Sequence, residues 1–335
     1  MDLSTTYLGL HLTHPIMVGA SPLVDDLDVA KRLEDAGASA IVMHSLFEEQ
    51  IVQEQFSMHL GLELHANAHP EARGYLPTPD SWALGPEAYL NRIRRLRESL
   101  DIPVIASLNG TSLGGWLAYA SMMEQAGADA LELNTYQIAS DVYSSSQELE
   151  DRLVRIVRTV KPTLGIPVSV KLSPHHTALP FLASRLLAAG ADGLVLFNRF
   201  LQPDFDLEQQ QLVVRLRLSD PSELLLRLHG LAILHGTFGG SLACSGGVHG
   251  PLDAMKAVMA GAHGVQVVSA ILQQGPAILT QMRDGLAAWL EGHEYESLRQ
   301  AHGSMSFSKV PDPAAYQRAS YMRVLQTWRP DMLLS

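Results

Sequence analysis

The chain has 335 residues, 47% of them hydrophobic, so it can bury a large core, and its formal net charge is −11. With no Lys/Arg-rich run, that balance argues against a nucleic acid or an anionic membrane as partner. The N-terminal MDLSTTYLGLHLTHP lacks the segments of a signal peptide, and no apolar run reaches membrane-spanning length. The one cysteine, Cys244, excludes an internal disulfide and cannot by itself hold an iron–sulfur cluster. A cytoplasmic location is expected.

In chain order, HPIMVGASP (14–22) supplies a first strand, at 15–20. The helix-like LDVAKRLEDAG then runs into AGASAIVMHS (36–45), with a second strand at 39–44. This phrase recurs as AGADALELNT (126–135), AGADGLVLFN (189–198) and AGAHGVQVVS (260–269). In each copy a glycine (Gly37, Gly127, Gly190, Gly261) ends a helix in a left-handed position, and a short apolar run follows. The last three glycines are 63 and 71 residues apart. One β/α unit takes about 30 residues, so the phrase marks every second strand.

The strands between are IPVIASLNG (102–110), IPVSVKLSP (166–174) and GSLACSGGV (240–248). Eight strands result, the remaining six at 103–108, 130–134, 167–172, 193–197, 241–245 and 264–269. Alternating strands and helices require a parallel sheet, and eight of them indicate an α/β fold of the (β/α)8 TIM-barrel type. An open doubly wound sheet is the alternative. Long excursions follow strands 2 and 6, at 46–100 and 199–240. The barrel is expected over 1–295. A helical extension over 296–335, with a helix begun after Pro313, is expected to pack on it or on a partner subunit.

Chemistry in such a barrel gathers at the C-terminal strand ends. Here these read Ala20-Ser21, His44-Ser45, Asn109, Asn134, Lys171, Asn198, Cys244-Ser245-Gly246-Gly247 and Ser269. Each taken alone is as readily a cap or loop residue; the ring of them reads as a polar site with one cation. Gly246-Gly247 precedes a helix opened by Pro251, and glycines there let backbone N–H groups approach a phosphate. A phosphorylated ligand is inferred. Lys171 has three readings: a charge beside a flavin, a Schiff-base amine, or a structural ion-pair partner. Three scattered histidines, His59, His65 and His69, read as loop residues, and no metal is expected.

ELN at strand 4, VKLSP at strand 5, Asn198 at strand 6, and SGGV with its following helix resemble the dihydroorotate dehydrogenases. The likeness runs through most of 14–295, and QVVSAILQQGPAIL resembles the family's FMN-phosphate region. SLFEEQI (45–51) and SLNG (107–110) resemble the branch of dihydroorotate dehydrogenase-like proteins. The resemblance implies FMN at the barrel mouth, contacted by Ala20, Ser21, Ser45, Asn109, Asn134, Lys171, Ser245, Gly246, Gly247 and Ser269. It implies substrate contacts from Asn134 and Asn198 and places Lys171 at the flavin's N1–O2 edge; His175 and His176, which follow Lys171, read as loop or cap residues or as candidates to reach over the flavin to the substrate in place of a missing base.

Four departures accompany it, one being LLLRLHGLAIL in place of the family's Gly-Gly before strand 7. The family's Cys or Ser base position holds Gln137, the lysine position of strand 2 holds Met43, and no Asn-x-Met-Gly segment is visible in 52–80. The leading expectation is an FMN-dependent oxidoreductase acting on a CH–CH group of a small molecule. An external acceptor or a redox partner protein takes the electrons, and a homodimer is implied by the family. A flavin-free Schiff-base lyase on a sugar phosphate, and a flavin-binding subunit without turnover, are the alternatives.

Overall fold

The computed structural model describes residues 1–52, 86–114, 117–199, 202–215, 217–316 and 318–327. Eight parallel strands close into a barrel: β1 (Ile16–Ser21), β2 (Ile41–Phe47), β3 (Val104–Asn109), β4 (Ala130–Asn134), β5 (Val168–Leu172), β6 (Gly193–Leu196), β7 (Ser241–Ser245) and β8 (Gly264–Val267). β8 pairs with β1 and closes the ring, which rules out the open sheet. The surrounding helices are α1 (Leu27–Asp35), α2 (Pro86–Ser99), α3 (Ala118–Gln125), α4 (Ser146–Val160), α5 (Leu179–Ala188), α6 (Leu224–Leu234), α7 (Pro251–Ala260), α8 (Ser269–Gln274) and α9 (Ala277–Gly292).

The recurring phrase has a physical basis. Its glycines take φ of +94° (Gly37), +101° (Gly127), +102° (Gly190) and +122° (Gly261), where a side chain would be strained. Two residues further on, a polar group ties each turn to the start of the preceding strand. Ser39 Oγ donates to Ile16 O at 2.7 Å, Asp129 accepts from Val104 N at 2.8 Å, and Asp192 accepts from Val168 N at 2.7 Å. In the fourth copy His263 Nδ1 accepts from Leu242 N at 3.1 Å. The phrase is therefore both a helix stop and a strand clamp.

Two boundaries differ from expectation. β2 continues to Phe47 through an irregularity between Val42 and Ser45, so Ser45 lies inside the strand rather than at its end. β8 stops at Val267 and Ser269 opens α8, because the apolar run QVVSAIL passes unbroken from strand into helix. The excursion at 199–240 contains a hairpin (Asp204–Asp206 with Gln211–Val213) and then α6, the helix between β6 and β7. Of the excursion at 46–100, residues 53–85 lie outside the described residues, and with them His59, His65, His69 and most of 52–80.

An N-terminal hairpin (Thr5–Tyr7 with Leu10–Leu12) seals the lower end of the barrel. Its Tyr7, Leu8 and Leu12 are buried against Met17, Val42, Ile105, Ala130, Val195 and Ala243. Beyond the last barrel helix, Gly303, Met305 and Phe307 donate backbone hydrogen bonds to Val258, Met259 and Ala232, and a further helix spans Arg318–Thr327. No helix among the described residues is long and apolar enough to cross a membrane.

Candidate active site

Above the apolar floor the barrel interior turns polar. Lys171 Nζ donates to Glu132 Oε1 and to Gln266 Oε1, both at 3.2 Å, and Gln266 Nε2 donates to Glu132 Oε2 at 2.6 Å. Glu132 is 0% exposed, Gln266 1% and Lys171 7%. A buried carboxylate is costly unless it is paired and hydrogen-bonded, and this triangle satisfies both its oxygens. Sequence reading found Lys171 but missed its two partners. The available signal was a charge within LEL and an amide within VQV, in strands otherwise apolar.

Lys171 lines a cavity of about 260 Å³ together with Ala20, Ser21, Asn198, Ser245, Gly246, Gly247, Gln266 and Ser269. The expected residues of β1, β5, β7 and the β8–α8 junction thus converge. The Ser21 hydroxyl oxygen is buried there with no hydrogen-bond partner among the described residues. Ser45, Asn109 and Asn134 are not in this lining, but a chain of contacts joins two of them to it. Asn198 Nδ2 donates to Asn134 Oδ1 at 2.6 Å, Asn134 Nδ2 to Ser45 Oγ at 3.3 Å, and Ser45 meets Ser107 at 2.8 Å. Asn109 is buried and stands opposite Asn134 in register. Met43 is fully buried in the core between strands and helices.

The far end of the cavity is built for close approach of backbone. Gly246 and Gly247 take φ of +92° and +79°. A Cβ on Gly247 would lie 2.4 Å from Leu224 N, so no side chain fits. Ser219, which sequence reading also missed, gathers the donors there: its N–H and Oγ each lie 3.0 Å from Ser269 Oγ, and Gly247 N donates to its Oγ at 3.2 Å. Arg199 and Arg217 complete this wall. Behind it the buried Arg227 donates to Ser245 O at 3.1 Å and to Glu223 O at 2.8 Å. Burial lowers the Arg227 pKa, with Glu223 opposing. Ser219 and Arg227 carry no sequence signal, because the long β6–β7 connection alone brings them to the β7 end. Cys244 is buried and its thiol is pushed up to about 12 by that burial, which makes it inert.

Gln137, His175 and His176 do not join Lys171. They line a second cavity of about 380 Å³ beside the C-terminal ends of β4 and β5, with Thr111, Thr135, Ile138, Arg152 and Ser173. Among the described residues the two histidines, candidates to reach over the flavin, wall a different space from Lys171. His176 sits 3.7 Å from Glu150, and burial lowers its pKa, with Glu150 opposing.

A closed parallel barrel with a buried lysine on β5 and a glycine-lined corner between β7 and β8, all at its C-terminal mouth, defines a (β/α)8 barrel with its polar site where such barrels carry their chemistry. Residues 83–290, more than half of the chain, match the dihydroorotate dehydrogenase family. The chain belongs to that family and is an oxidoreductase of the dihydroorotate dehydrogenase kind. A protein of Aeropyrum pernix assigned to dihydroorotate dehydrogenase A (fumarate) is 28% identical over 309 residues, covering 90% of this chain and 97% of that one. The catalytic subunit of dihydroorotate dehydrogenase B (NAD(+)) of Methanocaldococcus jannaschii is 24% identical, covering 86% and 94%. The NAD-dependent dihydropyrimidine dehydrogenase subunit PreA of Escherichia coli K12 is 24% identical, covering 92% and 78%.

Proposed function

We propose that the protein is an FMN-dependent oxidoreductase acting on a CH–CH bond, with the flavin held in the Lys171 cavity. The observation that carries this reading is the single cavity that joins a buried cation, an orphaned Ser21 hydroxyl and a cradle where a Cβ on Gly247 would meet backbone. These residues fit an isoalloxazine edge at one end and a phosphate at the other. Bound FMN would supply hydride acceptance from the donor and electron delivery to the acceptor.

The protein's own contributions follow from its geometry. Gly246, Gly247, Ser219 and Ser269 would hold the phosphate through N–H and O–H donors. The Lys171 ammonium, fixed by Glu132 and Gln266, would supply positive charge at the flavin's N1–O2 edge. Asn134 and Asn198, bonded to one another, present amides for orienting a donor. Gln137 is an amide and takes no proton at neutral pH, so a base from that position is missing. This favours a donor other than dihydroorotate as the preferred one. The Schiff-base alternative needs a free amine, whereas Lys171 is engaged by two acceptors. With a single cysteine in the chain, the electron acceptor is a small molecule or a partner protein. The named relatives use fumarate or NAD+, and a soluble acceptor of that kind fits a cytoplasmic enzyme.

The test is anaerobic reduction of the FMN-loaded protein by a panel of cyclic and acyclic CH–CH donors, dihydroorotate included. Bleaching of the flavin by at least one donor supports the reading. Loaded protein that every donor leaves oxidised, but that dithionite reduces, would favour a flavin-binding subunit without turnover.

A further inference from the structure

The second cavity shares no lining residue with the flavin cavity and has no part in the reading above. One side of it is apolar: Leu149, Leu153 and Ile156 of α4, with Ile138 from the preceding loop. Among these stands Arg152. No hydrogen bond or close ion pair joins it to a described residue; Glu148 attracts it at longer range, and the hydrogen bonds of the carboxylates around it go elsewhere. Glu148, one turn before it, accepts from Ser145 N and Ser145 Oγ in the capping box that starts α4, both at 2.8 Å. Asp151 and Glu150 pair with Arg185, and Glu150 also faces His176. A guanidinium is a rigid fork suited to bidentate capture of a carboxylate, and its attraction is strongest where apolar walls exclude water.

We propose that this cavity binds an organic carboxylate with an apolar body, its acid group on Arg152 and its body against Leu149, Leu153 and Ile156. Gln137 is then a recognition group of this pocket, an amide that donates or accepts a hydrogen bond without changing charge. The two linings come close along the chain at Lys171 and Ser173, and Thr135 of the second lining follows Asn134, which bonds Asn198 of the first at 2.6 Å. On the oxidoreductase reading, on which this last assignment rests, the cavity takes the non-reacting end of the hydride donor. That donor is consequently a larger and less polar acid than a bare pyrimidine ring.

The test is calorimetric titration of FMN-loaded protein with hexanoate and phenylacetate, and with hexanamide and phenylacetamide as neutral counterparts. The carboxylates bind at least tenfold more tightly than the amides. Arg152→Met abolishes that difference while keeping the flavin spectrum and melting temperature, and Arg152→Lys recovers part of it. No carboxylate binding, or binding unchanged in Arg152→Met, overturns the proposal. A chain that takes up no FMN but binds carboxylates through Arg152 keeps the anion pocket and loses the oxidoreductase reading. FMN uptake with no dependence on Arg152 does the reverse.

Discussion

Lys171 and Glu132, on neighbouring strands of the barrel, meet as an ion pair at 3.2 Å with both side chains withdrawn from water. Gln266 ties both together from the far side of the barrel. The lysine therefore does not present a bare charge to its cavity: a carboxylate directly behind it offsets part of that charge.

Glu132 should accordingly set the reduction potential of the bound flavin. Glu132→Gln keeps an acceptor for Lys171 but removes the negative charge, which favours the reduced, more negative flavin. The midpoint is expected to rise by about 30 mV or more, a tenfold shift for a two-electron couple. Gln266→Glu adds a negative charge and should lower it. Equilibrium dye titration reads both, and an unchanged or opposite shift in either variant contradicts the arrangement.

Gly247→Ala should cost most of the FMN affinity. The added Cβ would meet Leu224 N at 2.4 Å and Leu224 Cα at 2.8 Å, both backbone atoms, at a φ of +79°. The loop must shift, and its donors with it. Quenching of flavin fluorescence on titration should show affinity reduced at least a hundredfold.

Ser219→Ala should separate FMN from riboflavin. Ser219 Oγ sits among Gly247 N, Ser269 Oγ and His249 Nε2, at 3.2, 3.0 and 3.4 Å. Loss of one neutral hydrogen bond contributes about 0.5–1.5 kcal/mol. FMN affinity should fall by about threefold to tenfold while riboflavin affinity stays constant. An equal loss for both ligands would remove Ser219 from the phosphate end.

The fold should weaken below neutral pH. Burial holds His14, His263 and His302 down at about 4 from the ordinary 6.5, with Arg283 adding to the effect at His14 and neighbouring histidines at the other two. The unfolded chain therefore binds more protons between about 6.5 and about 4. Stability is fully present above that window and is lost as pH falls through it. Melting temperature should drop over this range, and less steeply in a His263→Gln, His302→Asn variant. The His263 and His302 rings lie 4.4 Å apart between centroids, tilted at 54°, so the pair should be changed together.

Much of this was legible in the sequence for a reason of period. The phrase ending in Gly37, Gly127, Gly190 and Gly261 repeats because each copy solves one mechanical problem, and solving it four times fixes eight strands. Lys171, Gly246 and Gly247 were legible because strand ends in a barrel converge. Glu132 and Gln266 were not, since an inward position in a strand reads as apolar until the closed interior shows three polar groups facing one another. Ser269 was misplaced by two residues of continued hydropathy, and Ser45 by an irregular β2. That Gln137, His175 and His176 share one cavity, apart from Lys171, was not legible because strand order cannot tell which side of a loop its side chains face.

The central claim is that the Lys171 cavity holds FMN, and stoichiometric reconstitution tests it most directly. Purified protein stripped of small molecules is mixed with FMN, desalted, and its absorption spectrum taken beside that of Gly247→Ala. The account predicts close to one FMN retained per chain, with perturbed flavin bands and quenched fluorescence, and little retained by the variant. A folded wild-type chain that emerges colourless, or retains FMN no better than Gly247→Ala does, would contradict it.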